Sequence, residues 1–213
     1  MLTEKLTLKT ETVFTDDRCN RYLLRKEWDA KKPKATIIMT NPSAADLMTI
    51  DYTTLYILNN ISKLDFGSVD IVNLSSKVTT KLNAKLDLEV EIEKENAEFI
   101  LKSAEKYDKI IIALGKIGEN NQRVRMAQDN LLKILLPFKD KLCCITKSED
   151  GESGFHPLAP QIRFEWFLRD FTPPKSNEGI KEKKKSVKTL NKKVTEEATP
   201  VEPVNSSEAT PEN

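Results

Sequence analysis

One histidine, three cysteines and six glycines are all that this 213-residue chain has of the residues that most often carry metal, redox or loop chemistry. With a single histidine and no cysteine pair at ligand spacing, neither a zinc site nor any other metal is expected, and nothing calls for a cofactor. Cys143 and Cys144 are adjacent and Cys19 stands alone; an odd count without framework spacing points to reduced thiols and a cytoplasmic protein. The apolar runs are short and the opening MLTEKLTLKTE is charged throughout, so neither a membrane span nor a secretory leader is expected. An excess of one charge is also missing: 34 basic against 33 acidic residues leave +1. No global field draws the chain to nucleic acid, and any such binding has to come from a local patch.

Aromatic residues are missing after Phe171. From Thr172-Pro173-Pro174 onward the composition of Lys, Glu, Thr, Pro, Ser and Asn cannot bury enough apolar area to offset the entropy of ordering. The expected organisation is therefore one domain over residues 1–174 and a disordered charged tail over 175–213. The tail divides into a basic stretch, Lys175 to Lys193, and an acidic stretch, Thr195 to Asn213. It reads as a solvated appendage, as a tether for nucleic acid, or as a contact for a protein partner.

What is present alternates. Thr12–Phe14 and Arg21–Arg25 flank a polar DDRCN turn and predict an N-terminal β-hairpin. The run Ala35–Met39 is short, apolar and β-branched, as a buried strand requires. Leu47, Ile50, Leu55, Leu58 and Ile61, spaced by three and four, predict a helix over about 43–62. Val69–Val72 predicts a second strand, about 91–107 a helix, and Lys109–Leu114 a third strand. A helix over about 122–136 stops at Pro137, and a fourth strand follows at Lys141–Ile145. Strands separated by helices imply an α/β three-layer sandwich around a mainly parallel, four-stranded sheet.

In such sheets ligands bind outside the carboxyl ends of the strands. Four polar exits therefore share one rim: Asn41-Pro42-Ser43, Asn73, Gly115, and the glycine-containing loop that leads to His156-Pro157. Ser43 can cap the helix expected to begin there, whose free N–H groups suit an anion; Asn and Pro also simply make a turn. The Asn73 amide can read a base edge or cap a loop. Gly115 relieves a turn or admits a ligand. His156, held between a glycine loop and Pro157, can stabilise charge on a leaving group or play a structural part. Asp46 and Asp51 are the nearest carboxylates in sequence, fit to act as base, metal ligand or helix N-terminal charge. Trp28 and Trp166 read as core or lid residues.

The series Arg21–Arg25, Trp28-Asp29, Ile38–Asp46, Val72–Leu74, Ala113–Gly115, Thr146-Lys147 and His156–Leu158 resembles the bacterial and phage domain-of-unknown-function family number 1643, in order over most of residues 12–170. Where that family usually shows Asp-Asp-Pro-Thr, this chain has Ile50-Asp51-Tyr52-Thr53. The layout is also similar to the uracil-DNA glycosylase superfamily: a first motif after strand one (Met39–Ser43), an Asn after strand two (Asn73), a Gly after strand three (Gly115) and a His-Pro motif after strand four. That likeness implies a uracil-DNA-glycosylase-like fold and base flipping. Asn41 would position a water, His156 would stabilise the departing base and Asn73 would read its edge. Asp46 would assist, and Pro42, Ser43, Gly115 and Pro157 would complete the binding surface.

Three functions are carried forward: a hydrolase of DNA N-glycosylase type; a module that binds a nucleobase, nucleotide or DNA without chemistry; and a phage or host interaction protein that recruits a partner through its tail.

Overall fold

A computed structural model of the chain describes residues 1–78, 94–119 and 121–171. These residues lie in one compact unit, Met1–Pro173. The tail expected at 175–213 and the first residues of the helix expected from 91 lie outside the described residues.

Among the described residues seven strands form a single sheet: β1 (Lys9–Phe14), β2 (Arg21–Glu27), β3 (Lys34–Met39), β4 (Ser68–Asn73), β5 (Lys109–Ile112), β6 (Leu142–Thr146) and β7 (Phe167–Asp170). Their order is β1-β2-β4-β3-β5-β6-β7. The inner β4-β3-β5-β6 are parallel, and β2 and β7 flank them antiparallel. The expected four-stranded sheet is corrected to seven. The N-terminal hairpin does not stand apart but adds β2 to the free edge of β4, and the short β7, too brief to show periodicity, covers the edge of β6. The backbone groups of β4 and β6 are thereby paired, and the edges of the sheet become the short antiparallel strands β1 and β7.

Side chains alternate across the sheet. Ile37, Met39, Ile71, Ile111 and Ile145 face one core, with Ile57 and Ile61 of α1 (Tyr52–Lys63) and with Trp166. Ile38, Val72, Ile110, Ile112 and Leu142 face the other, with Ile100 of α2 (Lys94–Lys106) and Leu131 of α3 (Gln122–Ile134). Helices thus cover both faces, as the parallel strands' unbroken apolar runs require. Trp166 lies in the core, with Trp28 packed against it.

The first helix departs from expectation. It begins at Tyr52, capped by Asp51, whose carboxylate accepts from the Thr54 N–H at 2.8 Å. Ser43 therefore caps no helix, and 43–50 is loop. Leu47 and Ile50, which gave that stretch its helical spacing, are exposed, as is Met48. The loop is held instead from β2. Arg21 Nη1 donates to the carbonyls of Ser43 (3.3 Å) and Ala45 (2.5 Å), and Lys26 Nζ donates to those of Asp46 (3.4 Å) and Leu47 (3.3 Å).

Arg21 reaches this face because of an irregularity. Val13 pairs with Leu23 but Phe14 with Arg21, leaving Tyr22 as the extra residue of a bulge. Such a bulge re-aims the neighbouring side chains. Tyr22 turns to the opposite face and stacks on Phe99 of α2, centroids 5.3 Å apart and planes 2° from parallel, while Arg21 joins Lys26 beneath the loop.

On the α2 face, Asp70 of β4 is fully buried and accepts from Arg25 (2.7 and 2.8 Å), Tyr107 (2.9 Å) and Ser103 (2.9 Å). Burial, reinforced by the Asp70 charge, pushes the Tyr107 phenol up to about 12. This cluster ties β2, β4 and the end of α2 together.

Candidate active site

From β3 the chain passes through α1 to β4 on one side, and then through α2 to β5 on the other. The crevice between the ends of β3 and β5 is therefore the topological switch point, where such sheets leave room for a ligand. A cleft of about 580 Å³ lies there. Met39, Thr40 and Asn41 enter it from the end of β3, and Leu114, Gly115 and Lys116 from the end of β5. The loop after β6 adds His156, Leu158 and Ala159, and the segment leading into α1 adds Ser43, Asp51 and Thr53. Thr40 Oγ1 donates to the Leu114 carbonyl at 3.1 Å and fixes the two strand ends relative to each other.

His156 reaches the cleft because its neighbour is glycine. Gly115 has φ +67°, and a Cβ built on it would lie 3.1 Å from the Cβ of His156. Both conformation and contact exclude larger residues at low cost. The imidazole is fixed in turn by the loop it stands on. The Leu158 N–H donates to Nδ1 at 3.2 Å, which leaves the proton of the neutral ring on Nε2. Burial holds the pKa of His156 below the ordinary imidazole value, with Asp51 opposing the shift. At neutral pH the ring is an uncharged donor.

Of the expected site residues, Asn41, Ser43, Gly115 and His156 come together in this cleft. Pro42 and Pro157 are the buried loop residues beside Asn41 and His156 and do not line it. Two others stand elsewhere. Asp46 is engaged in its own turn, accepting from the Met48 and Thr49 N–H groups at 3.0 and 2.9 Å, which with those turns holds its carboxyl below the usual range; Arg18 lies 3.6 Å away. The carboxylate lining the cleft is Asp51. Its signal in the sequence was the pattern of an N-cap, Asp before Tyr52-Thr53-Thr54, which the spurious helical spacing upstream concealed.

Asn73 ends β4, which lies on the far side of β3 from β5, so it belongs to the rim but not to the crevice. It is fully buried, and its side-chain atoms have no hydrogen-bond partner among the described residues. Its carbonyl accepts from Asn96 of α2 at 3.0 Å.

No three of the described His, Cys, Asp and Glu side chains gather as a metal site, and no helix among the described residues is long and apolar enough to cross a membrane. Cys19 is exposed and Cys143 and Cys144 are buried, all three as free thiols.

A parallel-centred α/β sheet with one cleft-bound histidine at its switch point is the class that this architecture defines. Within it, the model of the family described as protein of unknown function (DUF1643) matches residues 21–158, well over half of the chain, and the chain belongs to that family. The matched segment begins at Arg21 and ends at Leu158, so it takes in both the buried guanidinium under the cleft loop and the histidine motif. Comparison with curated proteins and with solved structures gives no match.

Proposed function

We propose that the cleft holds a nucleobase, carried by a nucleotide or a DNA strand, and hydrolyses its N-glycosidic bond. The observation that carries this reading is the meeting of Asn41, Asp51 and the uncharged imidazole of His156 in one cleft of about 580 Å³. That volume suits a nucleotide-sized ligand, and walls such as Met39, Leu114, Ile117 and Leu158 suit the flat faces of a base.

The chemistry assigns a part to each group. Asn41 orients a water toward the sugar carbon, and Asp51 takes that water's proton as the carbon–oxygen bond forms. The glycosidic bond breaks with its electron pair going to the base, and the Nε2–H of His156 donates to the anionic base as it leaves. A neutral histidine serves this better than an imidazolium, because it supplies a donor without needing a counterion in the cleft. The order of motifs along the chain, similar to that of the uracil-DNA glycosylase superfamily, supports the reading by analogy of layout.

The position of Asn73 outside the cleft favours a second reading, a nucleotide-binding module without chemistry, because the amide that ends β4 does not line the cleft to read a base edge. In either reading the basic stretch 175–193 is proposed to supply additional phosphate contacts to a strand.

Incubating the full chain with nucleosides, nucleotides and DNAs carrying uracil, mismatched thymine or bulky modified bases, and scoring free base and abasic sites, tests the first reading. Base release that is lost in His156→Ala supports hydrolysis. Saturable binding without release leaves the module.

A further inference from the structure

Arg21 is the most deeply buried cation among the described residues, 0% exposed, and it forms no ion pair there. One of its nitrogens holds the carbonyls of Ser43 and Ala45, while Nε and Nη2 have no acceptor among the described residues. Burial lowers its pKa to about 10, with Asp51 and Asp46 opposing, so it remains charged at neutral pH. Lys26, 1% exposed, adds a second cation under the same loop and likewise meets only carbonyls and the Thr10 hydroxyl. Both cations hydrogen-bond only to neutral acceptors; Asp51 and Asp46 act on Arg21, and Asp46 on Lys26, without ion-pair contact, so the buried positive charge is answered only in part. The loop they support is the one that enters the cleft. There Ser43 lines the wall, and its Oγ is buried with no hydrogen-bond partner among the described residues.

We infer that the Ser43 end of the cleft takes the phosphate of a nucleotide, with the Ser43 hydroxyl, turned from its buried position into the cleft, as a direct donor and the buried guanidinium of Arg21 as the countercharge behind it. The place is the one that the sequence offered for an anion, but the reason differs. The helix whose N-terminus would have supplied donors starts at Tyr52, and the positive charge comes from β2 instead. A phosphate oxygen accepts from Ser43 Oγ, and the field of Arg21 and Lys26 selects its charge. With the base against His156, the phosphate fixes which way the nucleotide lies. The inference rests on the nucleotide reading above and supplies its missing orientation.

Calorimetric titration of the full chain with inorganic phosphate, with deoxyuridine and the four ordinary deoxynucleosides, and with the matching 5′-monophosphates tests it. The expected result is that at least one monophosphate binds about tenfold or more tightly than its nucleoside, as a charge-assisted hydrogen bond implies. Inorganic phosphate should compete with it, and Ser43→Ala should bring the ratio close to one. Arg21→Met removes the countercharge but also the ties to the loop, so the serine variant, checked by an unchanged melting profile, carries the test. A trinucleotide that binds more tightly than the monophosphate assigns the phosphate to a strand rather than to a free nucleotide. Equal affinity for nucleoside and monophosphate, or a ratio untouched by Ser43→Ala, overturns the phosphate site while leaving the base reading intact. Phosphate binding that depends on Ser43 without any nucleoside or nucleotide binding does the reverse.

Discussion

A methyl group placed on Gly115 would lie 3.1 Å from the Cβ of His156, and the glycine's φ of +67° is one that other residues adopt only with strain. The end of β5 and the loop after β6 are thereby locked together, and the only histidine of the chain is delivered to the switch point. Gly115→Ala is expected to destabilise the fold by about 1–2 kcal/mol, the penalty of a left-handed non-glycine residue. It should also move the imidazole. Chemical denaturation measures the first effect, and the displaced histidine resonances report the second.

The His156 pKa is lowered in the folded chain, mainly by burial. The unfolded chain therefore binds the proton more readily. The neutral ring adds no pH dependence above the unfolded value of about 6.5, and stability falls as pH drops below it. Any activity that needs the neutral Nε2–H donor should be flat through neutral pH, with its acid limb centred below about 6.5. Because His156 is the sole histidine, its ring signals in an NMR pH titration give this pKa without assignment. A midpoint above 6.5 would falsify the uncharged imidazole.

Asp51 has two parts, as cap of α1 and as the carboxylate in the cleft. Asparagine caps as well as aspartate, so Asp51→Asn should change stability by only a few tenths of a kcal/mol while removing the proton acceptor. Base release should fall by about two orders of magnitude or more. Asp46→Asn, in a carboxylate held by its own turn, should reduce release less than Asp51→Asn. The opposite ranking would return the base to Asp46.

The Asp70 carboxylate is fully buried and satisfied by Arg25, Tyr107 and Ser103. Asp70→Ala leaves the Arg25 guanidinium with Glu11 and the Tyr107 hydroxyl but takes the acceptor from Tyr107 and Ser103, and should destabilise by about 2–4 kcal/mol. Asp70→Asn, which keeps a partial set of bonds, should cost less. Urea denaturation of both variants decides whether this cluster holds α2 on the sheet.

Much of this arrangement was legible in the residues, and what was not has physical reasons. ATIIM, VDIV and KIIIAL read as buried parallel strands because both their faces are covered, which leaves no alternation to confuse them. Strand order was not legible, since it depends on which crossover turns which way. The consequence fell on Asn73: every exit lies on one rim, but only neighbours at the switch point share a crevice. The helix expected from 43 failed because Leu47 and Ile50 have helical spacing yet sit exposed on a loop held by Arg21 and Lys26. Those two cations were invisible as supports, because a bulge at Tyr22 sets the face they reach. Phe167–Asp170 was too short a strand to show a period.

That Asn41 and His156 face one base-sized cleft is tested most directly on the single imidazole. NMR titration of the full chain with free uracil, thymine and the corresponding mononucleotides should shift the His156 ring signals saturably for at least one of them, and Asn41→Ala should weaken that shift about tenfold. Ring signals that stay fixed at saturating ligand, with shifts confined to residues remote from Gly115 and Asn41, would contradict a base-binding cleft at this place.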